Sequence, residues 1–133
     1  MAAAAAASYG FIGPAFADCA QDMQKLAQSR NAELQRVNDF AKAAHGKPLD
    51  PAGFCALSAG LLRAESALIA YMEKNKDWCS FPDQAIGNLK ESHAKNAGFS
   101  AKACQVAEKI KKMKEQAAQG AGPQQQPLPA GPL

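Results

Sequence analysis

The chain has 133 residues, with 15 Lys/Arg against 12 Asp/Glu for a net charge of +3, 47% hydrophobic residues and only 7% aromatics. The slight basic excess comes without an Arg cluster or interleaved aromatics, which excludes the usual footprint of a nucleic-acid binder. A core rich in Ala and poor in large aromatics is one that covalent staples would help most.

The opening "MAAAAAASYGFIGPAFA" combines a short apolar stretch, Pro14, and small residues at Ala15 and Ala17. This is the A-x-A pattern of a secretory signal peptide spanning residues 1–17, cut between Ala17 and Asp18. Because no Lys or Arg precedes Asp18, the true translation start is expected upstream of Met1. The competing reading is a plain Ala-rich extension. Seventeen residues that include Gly10, Gly13 and Pro14 fall short of the roughly 20 apolar residues a membrane span needs, so no transmembrane anchor is expected after cleavage.

From Asp18 to about His45, Cys19, Met23, Leu26, Leu34, Val37, Ala41 and Ala44 recur at helical spacing, with Arg30 inside the stripe. The Arg30 stem can pack there while its charge reaches water. Gly46-Lys47-Pro48 ends this first helix. A second helix opens at Asp50, a good N-cap, followed by Pro51 at a favoured first position. Phe54, Leu57, Leu61, Ala64, Leu68 and Tyr71 form one stripe, and Cys55, Leu62, Ile69 and Met72 form another beside it. Two stripes imply two neighbours, so this helix is expected to be the most buried, ending near Lys76.

A third helix starts around Pro82-Asp83, where Asp83 suits the positive end of the helix dipole. Ile86, Leu89, His93, Ala97, Cys104, Ala107, Ile110 and Met113 follow at helical spacing, with Gly98 as a possible bend. Beyond Gln119, "GAGPQQQPLPAGPL" has no apolar periodicity and reads as a disordered tail over 119–133, leaving a helical domain over 18–118.

Cys19, Cys55, Cys79 and Cys104 form an even set with no C-x-x-C or Cys/His knuckle. In a small exported chain this means disulfides. The expected fold is all-α, an up-down-up antiparallel bundle of three helices. At roughly 1.5 Å rise per residue, Cys79 returns to the level of Cys19 and Cys104 climbs to the level of Cys55. Bridged Cα atoms lie within about 7 Å, so the expected bridges are Cys19–Cys79 and Cys55–Cys104. Pairing neighbours in sequence would join opposite ends of the bundle.

No catalytic motif is present: there is no H-E-x-x-H, no G-x-S-x-G, no phosphate loop and no dinucleotide fingerprint. The carboxylates read as scattered over solvent faces, without a pair that shares an environment. Neither enzyme activity nor a cofactor is expected. Met23, Met72, Met113 and His93 are the residues a copper carrier could use, with His45 a weaker candidate. The simpler reading places the Met side chains in the core and satisfies His93 with a neighbour across a helix interface.

Charge is unevenly distributed. Residues 18–83 sum to −1 and residues 84–133 to +4. Lys102, Lys109, Lys111, Lys112 and Lys114 mark an electropositive end of the third helix, suited to anionic lipid, a polyanion or an acidic envelope partner. The plainer alternative is a solvated helix end whose cations favour the dipole. Trp78 and Phe81 flank Cys79 and either cap the core or form a partner hot spot.

"YMEKNKDWC" followed by "PD", with the four cysteines and the ending "LPAGPL", resembles small exported four-cysteine helical proteins of alphaproteobacteria that carry no assigned function. The resemblance implies export and no specific activity. The expectation is therefore a periplasmic or secreted, non-enzymatic interaction protein, with a metal or small-ligand carrier as the alternative.

Overall fold

A computed structural model describes residues 14–120, and the side chains of residues 18–120. Four helices follow in order: α1 (Pro14–Ala43), α2 (Pro51–Lys74), α3 (Lys76–Cys79) and α4 (Asp83–Ala118). No strand occurs among the described residues. Of the expected leader, residues 14–17 form the start of α1 and the rest lies outside the described residues. The expected tail lies outside them too, apart from Gln119 and Gly120, which turn off the end of α4.

The boundaries follow local chemistry. After α1, His45 and Gly46 take left-handed φ values of 49° and 77°, which helical backbone cannot continue. At the start of α2 the Asp50 carboxylate accepts from the Gly53 N–H at 2.7 Å, with Pro51 in the first helical position. α4 runs unbroken through Gly87 and Gly98, so the expected bend is not needed to accommodate either glycine.

The expected count of three helices is corrected to four. α2 stops at Asn75, and Lys76–Cys79 forms a separate turn of helix instead of a loop. The Cys79 N–H donates to the Asn75 carbonyl at 2.7 Å. Ser80 then enters the left-handed region at φ 55°, and the Phe81 N–H closes back on the Lys76 carbonyl. This motif holds Cys79 at the foot of α1.

α2 packs against both α1 and α4, while α1 and α4 do not pack directly on each other. That arrangement explains the two stripes of α2. Among the described residues α2 is also the one helix long and apolar enough to cross a membrane by length and composition. Here the apolar surface serves two protein neighbours. Its lower half builds the core from Leu68 and Met72 with Ile86 of α4, against which Met23, Leu26, Phe81 and Leu89 pack. Its upper half lets α1 approach closely. A Cβ at Gly53 would stand 2.7 Å from the Phe40 ring, so glycine lets that ring lie against the α2 backbone, and at Gly60 the nearest group is the Glu33 carboxylate, the movable end of a flexible side chain.

Two disulfides fasten the ends. Cys19–Cys79 has a Cα separation of 5.8 Å and joins α1 to α3; Cys55–Cys104, at 4.8 Å, joins α2 to α4. This is the pairing that helix rise predicts. No free cysteine remains, a state that fits an oxidising, non-cytoplasmic environment.

Candidate functional site

One charged side chain, Glu65, is fully buried among the described residues. Leu61, Leu68 and Met72 form a buried row on α2, and Glu65 occupies the same row with no exposure at all. A buried carboxylate needs donors, and three arrive from the flanking helices. Arg30 of α1 reaches Glu65 Oε1 at 3.3 Å, Asn96 of α4 donates to the same oxygen at 2.8 Å, and His93 Nδ1 lies 3.1 Å from Oε2. Nearby, the Ser58 hydroxyl donates to Ser100 Oγ at 2.8 Å.

Sequence reading had placed the carboxylates on solvent faces, and Glu65 corrects it. The signal was present, because Glu65 stands four residues from Leu61 and three from Leu68, on the inner face of the helix. The cluster ties three helices together through one carboxylate. Both carboxylate oxygens are occupied by protein donors, and the carboxylate has no exposure through which a substrate could approach.

The copper donor set is dispersed. Met23 and Met72 pack in the lower core, His93 directs Nδ1 to Glu65, and Met113 sits near the far end of α4 at 59% exposure. Met113 therefore departs from the core position its spacing suggested, because it lies on the outward face of α4 that it shares with exposed Phe99 and Val106, roughly 140° around the helix from buried Ser100. His45 is exposed on the turn after α1. Among the described residues no group of three or more His, Cys, Asp or Glu is arranged to hold a metal.

Trp78 and Phe81 are separated by their environments. Phe81 packs on the core and meets Tyr71 edge-on at 6.1 Å, whereas Trp78 is 68% exposed on α3. Tyr71 donates to Asp22 Oδ2 at 3.2 Å, and burial together with that carboxylate raises its pKa above the ordinary value. Cys79 Sγ lies 3.9 Å from the Tyr71 hydroxyl, so the aromatic that covers the lower bridge is Tyr71.

The basic end of α4 is the most open region of the described chain. Lys102, Lys109, Lys111, Lys112 and Lys114 are all exposed. Lys112 stands 4.0 Å from Glu108, while Lys102, Lys109, Lys111 and Lys114 have no ion pair among the described residues. Elsewhere on α4 the lysines are engaged: Lys90 with Glu73, and Lys95 with Glu91 at 2.8 Å. The Lys95 ammonium lowers the pKa of Glu91 through hydrogen bonding and charge. Beside the basic end, an open groove of about 610 Å³ runs along the Cys55–Cys104 bridge, lined by Ala52, Ala107 and Ile110 and by both signs of charge, Lys111 and Lys114 with Asp50, Glu108 and Glu115. Unpaired cations and exposed apolar side chains thus occur together over the C-terminal half of α4.

No family model, no curated protein and no solved structure matches this chain.

Proposed function

We propose that this chain is an exported, non-enzymatic protein of the cell envelope, periplasmic or secreted, whose working surface is the C-terminal half of α4 and whose partner is anionic. On this reading residues 1–17 are a signal peptide and the mature protein is an up-down-up bundle in which α3 is an added turn. It then stands with the small exported four-cysteine helical proteins of alphaproteobacteria that its sequence resembles. The paired cysteines support export. The observation that carries the surface assignment is the contrast along α4: its early lysines are neutralised by Glu73 and Glu91, and four of its later ones are left free. Cations left unpaired over the last turns of a helix produce a positive potential that draws phosphate or carboxylate ligands.

One preparation from the envelope tests both parts. Its intact mass should correspond to a chain starting at Asp18 with two disulfides; a chain starting at or before Met1 with four free thiols overturns export. The same protein should co-sediment with vesicles of equimolar phosphatidylcholine and phosphatidylglycerol at low salt and come off as salt rises. Lys102→Glu, Lys109→Glu and Lys114→Glu together should abolish sedimentation. Wild-type protein that stays in solution at low salt, or triple-variant protein that still sediments, refutes the surface.

A further inference from the structure

Charge is half of what α4 displays between Phe99 and Met113. Phe99, Val106 and Met113 are 62%, 45% and 59% exposed, three of the large apolar side chains that the fold leaves in water. They are seven residues apart. At about 100° per residue, seven residues come within roughly 20° of two full turns, so the three side chains form one row about 21 Å long. Ala103 and Ile110, both half-buried, lie along its inner edge. α1 does not pack on α4, so neither neighbouring helix covers the row.

The cations border the row on both sides. Lys102 and Lys109, both unpaired and seven residues apart, fall roughly 60–80° to one side of Phe99 on the helical wheel, while Lys114 falls about 60° to the other; Lys95, on the first edge, is paired with Glu91 beside it. Glu108 and Glu115 lie behind, roughly 160–180° away. An apolar row with ammonium groups on its flanks and carboxylates on the opposite side matches the boundary between headgroups and acyl chains of an anionic bilayer. There apolar side chains enter, and Lys stems reach back to phosphate. The same charge pattern opposes a second copy of this chain. In a helix pair built on this row, the Lys102 and Lys109 edge would face its own like or the Lys114 edge, with no carboxylate to meet it.

We infer that α4 does not merely touch anionic lipid but seats in the bilayer interface along Phe99, Val106 and Met113, an inference that rests on the anionic-surface reading above. The test uses the full oxidised chain and the same phosphatidylcholine/phosphatidylglycerol vesicles. Val106→Asp puts a carboxylate at the centre of an exposed row, so helicity and melting temperature should be retained while vesicle affinity falls at least tenfold. Phe99→Trp in a Trp78→Phe background should shift its emission to the blue on binding and be quenched by brominated acyl chains.

Three other outcomes are decisive. Unchanged affinity of Val106→Asp with no quenching overturns seating and leaves the lysine surface standing. Absence of wild-type sedimentation on vesicles removes the surface and the seating together. A concentration-dependent dimer that Val106→Asp dissociates assigns the row to a second copy and overturns the lipid assignment.

Discussion

The middle of the fold and the far end of α4 use polar groups in opposite ways. Around Glu65 the charged and polar side chains converge from three helices, and both carboxylate oxygens have donors. From Phe99 onward, α4 turns four unpaired lysines and three large apolar side chains toward water with nothing to meet them. Burial makes an unpaired charge expensive, so the fold brings donors to both oxygens of the buried carboxylate. Exposure removes that constraint and leaves the groups free for a ligand. The contrast separates what holds the molecule from what it can hold.

The sharpest way to break the comparison is to remove the staples. Opening Cys19–Cys79 and Cys55–Cys104 releases loops with sequence separations of 60 and 49, each worth roughly 3–4 kcal/mol in the chain-entropy model. The Cys55→Ser, Cys104→Ser double variant should melt well below wild type and bind vesicles only while folded. A melting temperature within a few degrees of wild type would show that packing alone holds α4 in place.

Next in size is the buried cluster. Glu65→Ala removes the common acceptor of Arg30, His93 and Asn96, and breaking such a network costs about 3 kcal/mol. Arg30 Nε, already buried without a partner, would then be joined by further unmet donors. Glu65→Gln keeps an acceptor and should lose distinctly less. Denaturant unfolding reads both, and equal losses would mean that the site needs volume and not a carboxylate. Vesicle binding by the folded fraction should be unchanged in either variant, since the cluster and the lysine surface do not share a residue.

The disulfide pairing was legible in the sequence for a reason that applies equally to this cluster. Counting residues along antiparallel helices placed Cys19 beside Cys79 and Cys55 beside Cys104. The same counting puts Arg30 eleven residues above Cys19, Glu65 fourteen above Cys79 and His93 eleven above Pro82, all within about 5 Å of one height. Arg30 and His93 fall in inner stripes of the sequence, whereas Glu65 reads there as a surface charge. The pairing of cysteines is constrained by covalent geometry, whereas a carboxylate beside leucines fits a surface or a satisfied core until its donors are located. The lysine end of α4 was legible from composition. The exposed row was not, because periodicity reports that residues share a face and not whether a neighbour covers it. Met113 shows this directly: three-residue spacing from Ile110 suggests a shared stripe, but on the wheel it has drifted onto the outward face with Phe99 and Val106.

The smallest expected effect comes from α3, where the two aromatics around Cys79 repeat the comparison within four residues. Phe81 packs on Leu68, Met72 and Ile86 and meets Tyr71 edge-on, whereas Trp78 is 68% exposed. Phe81→Ala should cost about 2 kcal/mol, less than a fully buried Phe because it is only partly enclosed. Trp78→Ala should change stability by no more than about 0.5 kcal/mol, as for other surface positions. Thermal melts of the two variants side by side decide the matter. A large loss from Trp78→Ala would mean that the indole covers the lower bridge after all. A null result would leave the indole as a second exposed apolar group, at the end of the molecule opposite Met113 and outside the lysine surface. Its loss should then leave vesicle affinity unchanged, because no cation row accompanies it to draw the bilayer near.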